Sequence, residues 1–282
     1  MPSADRLDAV TFQGRTLENL PYDAVRAALD THHLARIRGL FDRTAIRAVK
    51  QRMVDAFDVK NDARHDPRDT DAVRRNFQKL QVGANSGVGT RRTLGRFMRV
   101  FYNPIFESDV HGMREHFVRL ARFRNLLYNL PIDFAVAGTD DGYWTCSRIL
   151  QYPAGGGFIV PHRDMYAQAA TVERGLAYYQ PLLLLTEKGQ DFDSGGAYVD
   201  IGDARFLYED SCQAGDVVVY DGRSIHGVSD IDPYAPLDLT RFTGRAVALA
   251  SLFRLLTPGE RDYGQLAERA RDWFDSERDQ ER

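Results

Sequence analysis

From Tyr143 to Leu256 the chain is a succession of short runs rich in β-branched and aromatic residues, broken by glycine, proline, aspartate and serine, with no helical repeat between them. The runs predict strands at about Trp144–Tyr152, Phe158–His162, Tyr178–Leu185, Ala197–Asp200, Arg205–Tyr208, Asp216–Tyr220, Ile225–Ser229 and Arg245–Leu256. Parallel strands need long crossovers, usually helices, and no helical repeat separates these runs. The pattern therefore predicts an antiparallel barrel or a two-sheet jelly roll.

The first 140 residues read differently. Apolar positions recur at three- and four-residue spacing through Tyr22–Leu29, Thr44–Phe57 and Val110–Leu130, which predicts amphipathic helices and an α+β chain overall. Val82–Thr90 lacks periodicity and reads as a mobile loop, and Asp262–Arg282 reads as a charged surface helix. The expected organisation is one domain over residues 1–282, with 1–142 as helical support and lid, 143–256 as jelly-roll core and 257–282 as a terminal helix.

Charge narrows the function class. The 37 Lys and Arg residues stand against 40 Asp and Glu, a net charge of -3, so no bulk field draws the chain to nucleic acid or an anionic membrane. No apolar run approaches the ~20 residues that span a bilayer, and the first residues lack a secretory profile, so a cytoplasmic location is expected. The two cysteines, Cys146 and Cys212, are too few for a disulfide framework and read as small buried hydrophobes. Any metal site must draw on the seven histidines together with carboxylates.

Two of those histidines stand out. In Gly157-Phe-Ile-Val-Pro-His162-Arg-Asp164, period-two alternation puts His162 and Asp164 on one face of a strand. His226 follows 62 residues after Asp164, on a strand that a jelly roll brings opposite the first. Two histidines and a carboxylate form a facial triad with three coordination positions open, the arrangement suited to non-haem Fe(II). The other five histidines, His32, His33, His65, His111 and His116, need no functional explanation.

The ordered set His162-x-Asp164, Ser194-Gly-Gly, the Gly215-Asp turn, His226-Gly-Val and Gly244-Arg245 resembles the Fe(II)- and 2-oxoglutarate-dependent dioxygenases, including the phytanoyl-CoA-hydroxylase-like enzymes. The resemblance covers Trp144–Leu256, 113 of the 282 residues. It implies a double-stranded β-helix (cupin-like jelly roll) core in the C-terminal half, with helices from the N-terminal half packed on it. It further implies Fe(II) on His162, Asp164 and His226, with 2-oxoglutarate as co-substrate and O2 as oxidant. The reaction implied is hydroxylation of a small molecule with release of succinate and CO2, in natural-product biosynthesis or catabolism. Desaturation, epimerisation, cyclisation and oxidative cleavage use the same triad, while an aspartate at position 164 leaves no place for a halide.

The distal carboxylate of 2-oxoglutarate needs a cation. Arg245 opens an alternating strand and is preferred over Arg241, with Tyr152, Thr186 or Ser251 supplying a hydroxyl. Arg148, Gln151 and Tyr166 are candidate substrate contacts. Arg91 and Arg92, in a basic segment from Arg64 to Arg99, suit an anionic or carrier-bound small molecule. The competing reading is a jelly roll that binds a small molecule without metal or with a different one. Oligomeric state is not encoded in any of these features.

Overall fold

The computed structural model describes residues 7–63, 75–82, 95–164 and 178–254. The expectations for Arg91, Arg92, Tyr166, the loop 83–90 and the terminal helix fall outside those residues. Thirteen strands join in one continuous mixed sheet with few helices. In chain order they are β1 (Thr11–Gln13), α1 (Tyr22–His32), β2 (Leu34–Arg38), α2 (Arg43–Ala56), β3 (Asp62–Ala63), β4 (Phe77–Val82), β5 (Gly95–Tyr102) and α3 (Arg114–Leu127). Then follow β6 (Tyr143–Tyr152), β7 (Gly157–His162), β8 (Tyr179–Leu184), β9 (Gly196–Ile201), β10 (Ala204–Leu207), β11 (Val217–Asp221), β12 (His226–Ile231) and β13 (Arg245–Arg254).

All eight strands expected after Tyr143 form. Their order places β11-β8-β13-β6 on one side and β7-β12-β9-β10 on the other, with β5 pairing to both β6 and β7. Side chains cross between the two groups: Tyr220 on β11 donates to Asp164 beyond β7, and Arg245 on β13 meets Glu209 beyond β10. The interior between the two groups is therefore the place where the site is built.

The N-terminal half departs from the helical expectation. Helices α1, α2 and α3 match the periodic segments, but β1, β2, β4 and β5 add to the sheet, with β2 pairing antiparallel to β11 and β4 to β5. Leu34-Ala-Arg-Ile-Arg is a short run buried along most of its length, so it carries no amphipathic period of either kind. The helices have ordinary local causes. Asp42 caps α2 by accepting from Ala45 N at 2.8 Å, and α3 lays Phe117, Leu120, Phe123 and Leu127 toward β8 and β13. Leu183, Val217, Val219, Ala248 and Ile37 are among the fully buried residues of one large apolar cluster. Both cysteines are buried and unpaired, as expected. Among the described residues no helix is long and apolar enough to cross a membrane.

Two glycines position the strands that carry the site. Gly244 holds φ +75° in the turn before Arg245, where a Cβ would press on Ala154 N at 2.6 Å. Gly227, next to His226, lies where a Cβ would sit 2.5 Å from Tyr198 Oη and 2.8 Å from Ile159 O, so β12 approaches β7 closely only because that residue has no side chain. Gly227→Ala is expected to cost about 1–3 kcal/mol through overpacking. It should also weaken metal binding through His226; a denaturation midpoint and metal affinity equal to those of the parent protein would contradict this role.

Candidate metal centre

His162 ends β7 and His226 begins β12, and the two residues are direct partners in the antiparallel ladder. That register brings their ring centroids to 4.4 Å. Asp164 follows two residues after His162, and its backbone is fixed by donation from Asp164 N to Gly222 O at 3.1 Å. Its Oδ1 lies 3.7 Å from His162 Nε2 and 3.5 Å from His226 Nε2, and one donor atom from each residue falls within 4.8 Å of the others. Two metal bonds of about 2.1 Å at right angles separate their donors by about 3 Å, so a small contraction closes these three around one ion. Among the described residues no other group of three His, Cys, Asp or Glu converges in this way.

The hydrogen bonds behind the rings fix which nitrogen faces inward. His162 Nδ1 donates to Val160 O at 2.8 Å and His226 Nδ1 donates to Ser224 O at 2.9 Å, which leaves each neutral ring with its Nε2 lone pair directed at Asp164. His226 Nε2 is buried and has no hydrogen-bond partner. A buried lone pair facing a carboxylate oxygen is unfavourable unless a cation lies between them. The residues thus fit a divalent metal, and histidine with carboxylate is a donor set for Fe(II). Tyr220 supports the arrangement, its phenol donating to Asp164 Oδ2 at 3.2 Å and its ring lying 4.3 Å from that of His226.

The electrostatics agree. Burial pushes the Asp164 carboxyl up, but the facing His226 ring, then His162 and Arg148, outweigh it and hold the pKa at about 2. Burial and the neighbouring His226 lower the pKa of His162 below its ordinary value of 6.5. Burial opposes the charged form of His226 as well, yet the Asp164 carboxylate raises its pKa above 6.5. Without metal, the Asp164 carboxylate favours a proton on His226, whose neutral form presents the lone pair. Metal must displace that proton, so affinity for Mn(II) is expected to fall by about tenfold per pH unit below the His226 pKa and to level off above it. Calorimetric titrations giving one affinity at every pH at which the protein stays folded would contradict this.

The remaining sequence-selected residues divide by face. Tyr152 and Arg148 on β6, Arg245 and Ser251 on β13, and Gln180 on β8 share the inner face with Tyr220. Gln151 lies on the opposite face of β6: it accepts from Arg99 at 3.0 Å, donates to Thr243 O at 2.7 Å and is not brought to the triad. Arg99, from the basic segment, is fully buried there against Asp62, at 2.8 Å. Arg241 lies outside any strand. Thr186 is tied into the backbone next to Arg245, donating to Ala246 O and accepting from Ala246 N. His111 and His116 are shifted down by burial and pack edge-on or tilted against Phe101 and Phe41, away from the triad residues.

Arg245 points inward and is buried, but it does not offer a free charge. Its Nε and Nη2 grip the Glu209 carboxylate at 2.8 to 2.9 Å, and Glu209 also accepts from Ala197 N at 2.9 Å. Sequence reasoning missed Glu209, Tyr220, Tyr178 and Gln180. Alternation along Asp216–Tyr220 and Tyr178–Leu185 contains a signal for Tyr220 and Gln180, whereas Glu209 sits in a Glu-Asp turn that reads as surface.

No protein-family model matches the sequence, and neither does any curated protein. Among solved structures the chain is similar to the non-haem alpha-ketoglutarate-dependent epimerase SnoN from nogalamycin biosynthesis, at 12% identity over 83% of this chain and 82% of that one, with a TM-score of 0.51. It also matches a Pseudomonas putida prolyl-4-hydroxylase at 16% identity, over 82% of this chain and 98% of that one, with a TM-score of 0.47. EctD from S. alaskensis, with bound Fe, matches at 14% identity over 81% and 75%, with a TM-score of 0.46. The strand order and the likeness to SnoN give this chain a double-stranded β-helix fold similar to that of SnoN.

Proposed function

We propose that the protein is an Fe(II)- and 2-oxoglutarate-dependent oxygenase that hydroxylates an unactivated C–H bond of a small molecule in natural-product biosynthesis. The observation that carries this reading is the convergence of two Nε2 lone pairs and one carboxylate in the barrel interior, with an orphaned buried nitrogen among them. When bound, Fe(II) with 2-oxoglutarate and O2 supplies the oxidising chemistry and releases succinate and CO2. The residues of the chain hold and orient. Val160 O and Ser224 O set the ring tautomers, and Tyr220 ties down one oxygen of Asp164 so that the other is presented. Tyr152 and Ser251 on the inner wall are proposed as co-substrate contacts. Residues 143–256 serve as the catalytic core of one cytoplasmic domain, with 1–142 as support and lid. Arg91, Arg92 and Tyr166 are proposed substrate contacts, for an anionic or carrier-bound molecule.

One observation favours a second reading, a metal-binding jelly roll that uses no 2-oxoglutarate. The cation expected to grip the co-substrate, Arg245, is already neutralised by Glu209. The two readings separate on one assay. Fe(II)-loaded protein incubated in air with 2-oxoglutarate is expected to form succinate, and to form none without iron or oxygen. Metal binding without any consumption of 2-oxoglutarate would leave only the second reading.

A further inference from the structure

Resting on the proposed use of 2-oxoglutarate, we propose that this chain takes the distal carboxylate of that co-substrate on Arg148, supported by Ser251 and Gln180, and not on Arg245. The charge of Arg245 is matched from within, through its Nε and Nη2. Glu209 meets it with both carboxylate oxygens, and the pair is buried, at 2% and 5% exposure. A second carboxylate there would have to displace Glu209, leaving an unpaired buried charge.

Arg148 presents the opposite case. It stands on the same inner face, four residues before Tyr152, and its contacts are to neutral groups. These are a long hydrogen bond to Ser251 Oγ at 3.3 Å, the Cys146 thiol, and the Phe253 ring 5.3 Å away. Among the described residues no ion pair holds it, and the carboxylate in its electrostatic surroundings is Asp164 itself. Arg124, also buried, shows what a satisfied structural arginine looks like in this protein: its donors reach Ala250 O, Asn125 Oδ1 and Thr145 Oγ1 at 2.7 to 3.2 Å. A guanidinium carries five donors, and Arg148 leaves most of them for a ligand.

The neighbours of Arg148 form a seat. Gln180 Nε2 donates to Ser251 Oγ at 3.1 Å, and Tyr178 donates to Gln180 Oε1 at 2.7 Å, so one buried polar chain runs beside the guanidinium. Charge balance points the same way. With Arg245 and Glu209 cancelling, a divalent ion on the triad, the Asp164 carboxylate and Arg148 together leave two positive charges, which a dicarboxylate neutralises.

The test uses the full chain loaded with Mn(II), which binds without turnover, and follows 2-oxoglutarate binding by calorimetry. Pyruvate, a 2-oxo acid with no distal carboxylate, is the comparison ligand. Arg148→Gln is expected to weaken 2-oxoglutarate binding by about 30-fold, as loss of a charged hydrogen-bond partner does. Pyruvate affinity should be unchanged, and Arg148→Lys should restore part of the loss. Mn(II) binding retained in the Arg148→Gln protein shows that its triad is intact. If 2-oxoglutarate binding survives Arg148→Gln but is lost in the Arg245→Gln, Glu209→Gln pair, the assignment is overturned. If Mn(II)-loaded wild-type protein binds no 2-oxoglutarate, the co-substrate reading falls, and this seat with it.

Discussion

Asp164→Ala is expected to abolish both metal binding and turnover while leaving the fold in place. In the proposed site the carboxylate would be the one anionic donor, and its Oδ1 lies 3.5 and 3.7 Å from the two Nε2 atoms. Without it two neutral imidazoles remain, a weak site for a hard divalent cation. Turnover should fall by at least about a thousandfold, because the chemistry is the metal's and the protein's contribution is to fix its coordination. Stability in the absence of metal should change by no more than about 1 kcal/mol, since the carboxylate gives up only the hydrogen bond from Tyr220 and those metal-free contacts to the histidines. The paired measurement is thermal unfolding with and without Mn(II): the wild type should gain stability on adding metal and Asp164→Ala should gain none. Equal stabilisation of both proteins would show that the metal is held elsewhere. His226→Ala is expected to behave alike, and it also removes the buried unpartnered nitrogen.

The second large effect concerns stability. Glu209→Ala is expected to destabilise the protein by about 3–5 kcal/mol, because it strips from a guanidinium that is 2% exposed the only carboxylate that pairs with it among the described residues, and also removes the acceptor of Ala197 N. Removing both charges should be far milder. Glu209→Leu combined with Arg245→Met replaces the ion pair by apolar groups of similar volume, for which the expected change is within about 1 kcal/mol of wild type. The two values come from urea unfolding of each variant. A single substitution as mild as the double one would mean that the pair is not a closed structural unit, and Arg245 would again be available to a ligand.

How much of this was legible in the sequence follows from where each interaction is made. The strands after Tyr143 were legible because each is flanked by turn residues and carries β-branched or aromatic side chains. His162 and Asp164 were legible because two residues on one strand share a face whatever the rest of the fold does, and His226 because strand order alone brings it opposite them. The extra strands β4 and β5 were not: Lys79 and Gln81 are buried in β4, and Arg99 is buried in β5 through Asp62, a partner 37 residues away. Glu209 was hidden for the same reason. Nothing near Tyr208-Glu-Asp-Ser marks it as interior, and its burial arises from β13 passing 36 residues later in sequence. The inward direction of Arg245 could be read from alternation, but the charge that answers it could not.

Everything proposed for this chain depends on His162, Asp164 and His226 together holding one metal ion. The most direct measurement is a crystal structure of the protein grown with Mn(II) and 2-oxoglutarate. The expected result is one ion bound through Nε2 of both histidines and a carboxylate oxygen of Asp164, with both Nδ1 atoms still donating to Val160 O and Ser224 O. An ion bound elsewhere, or none at all with His226 Nε2 hydrogen-bonded to the protein, would contradict it.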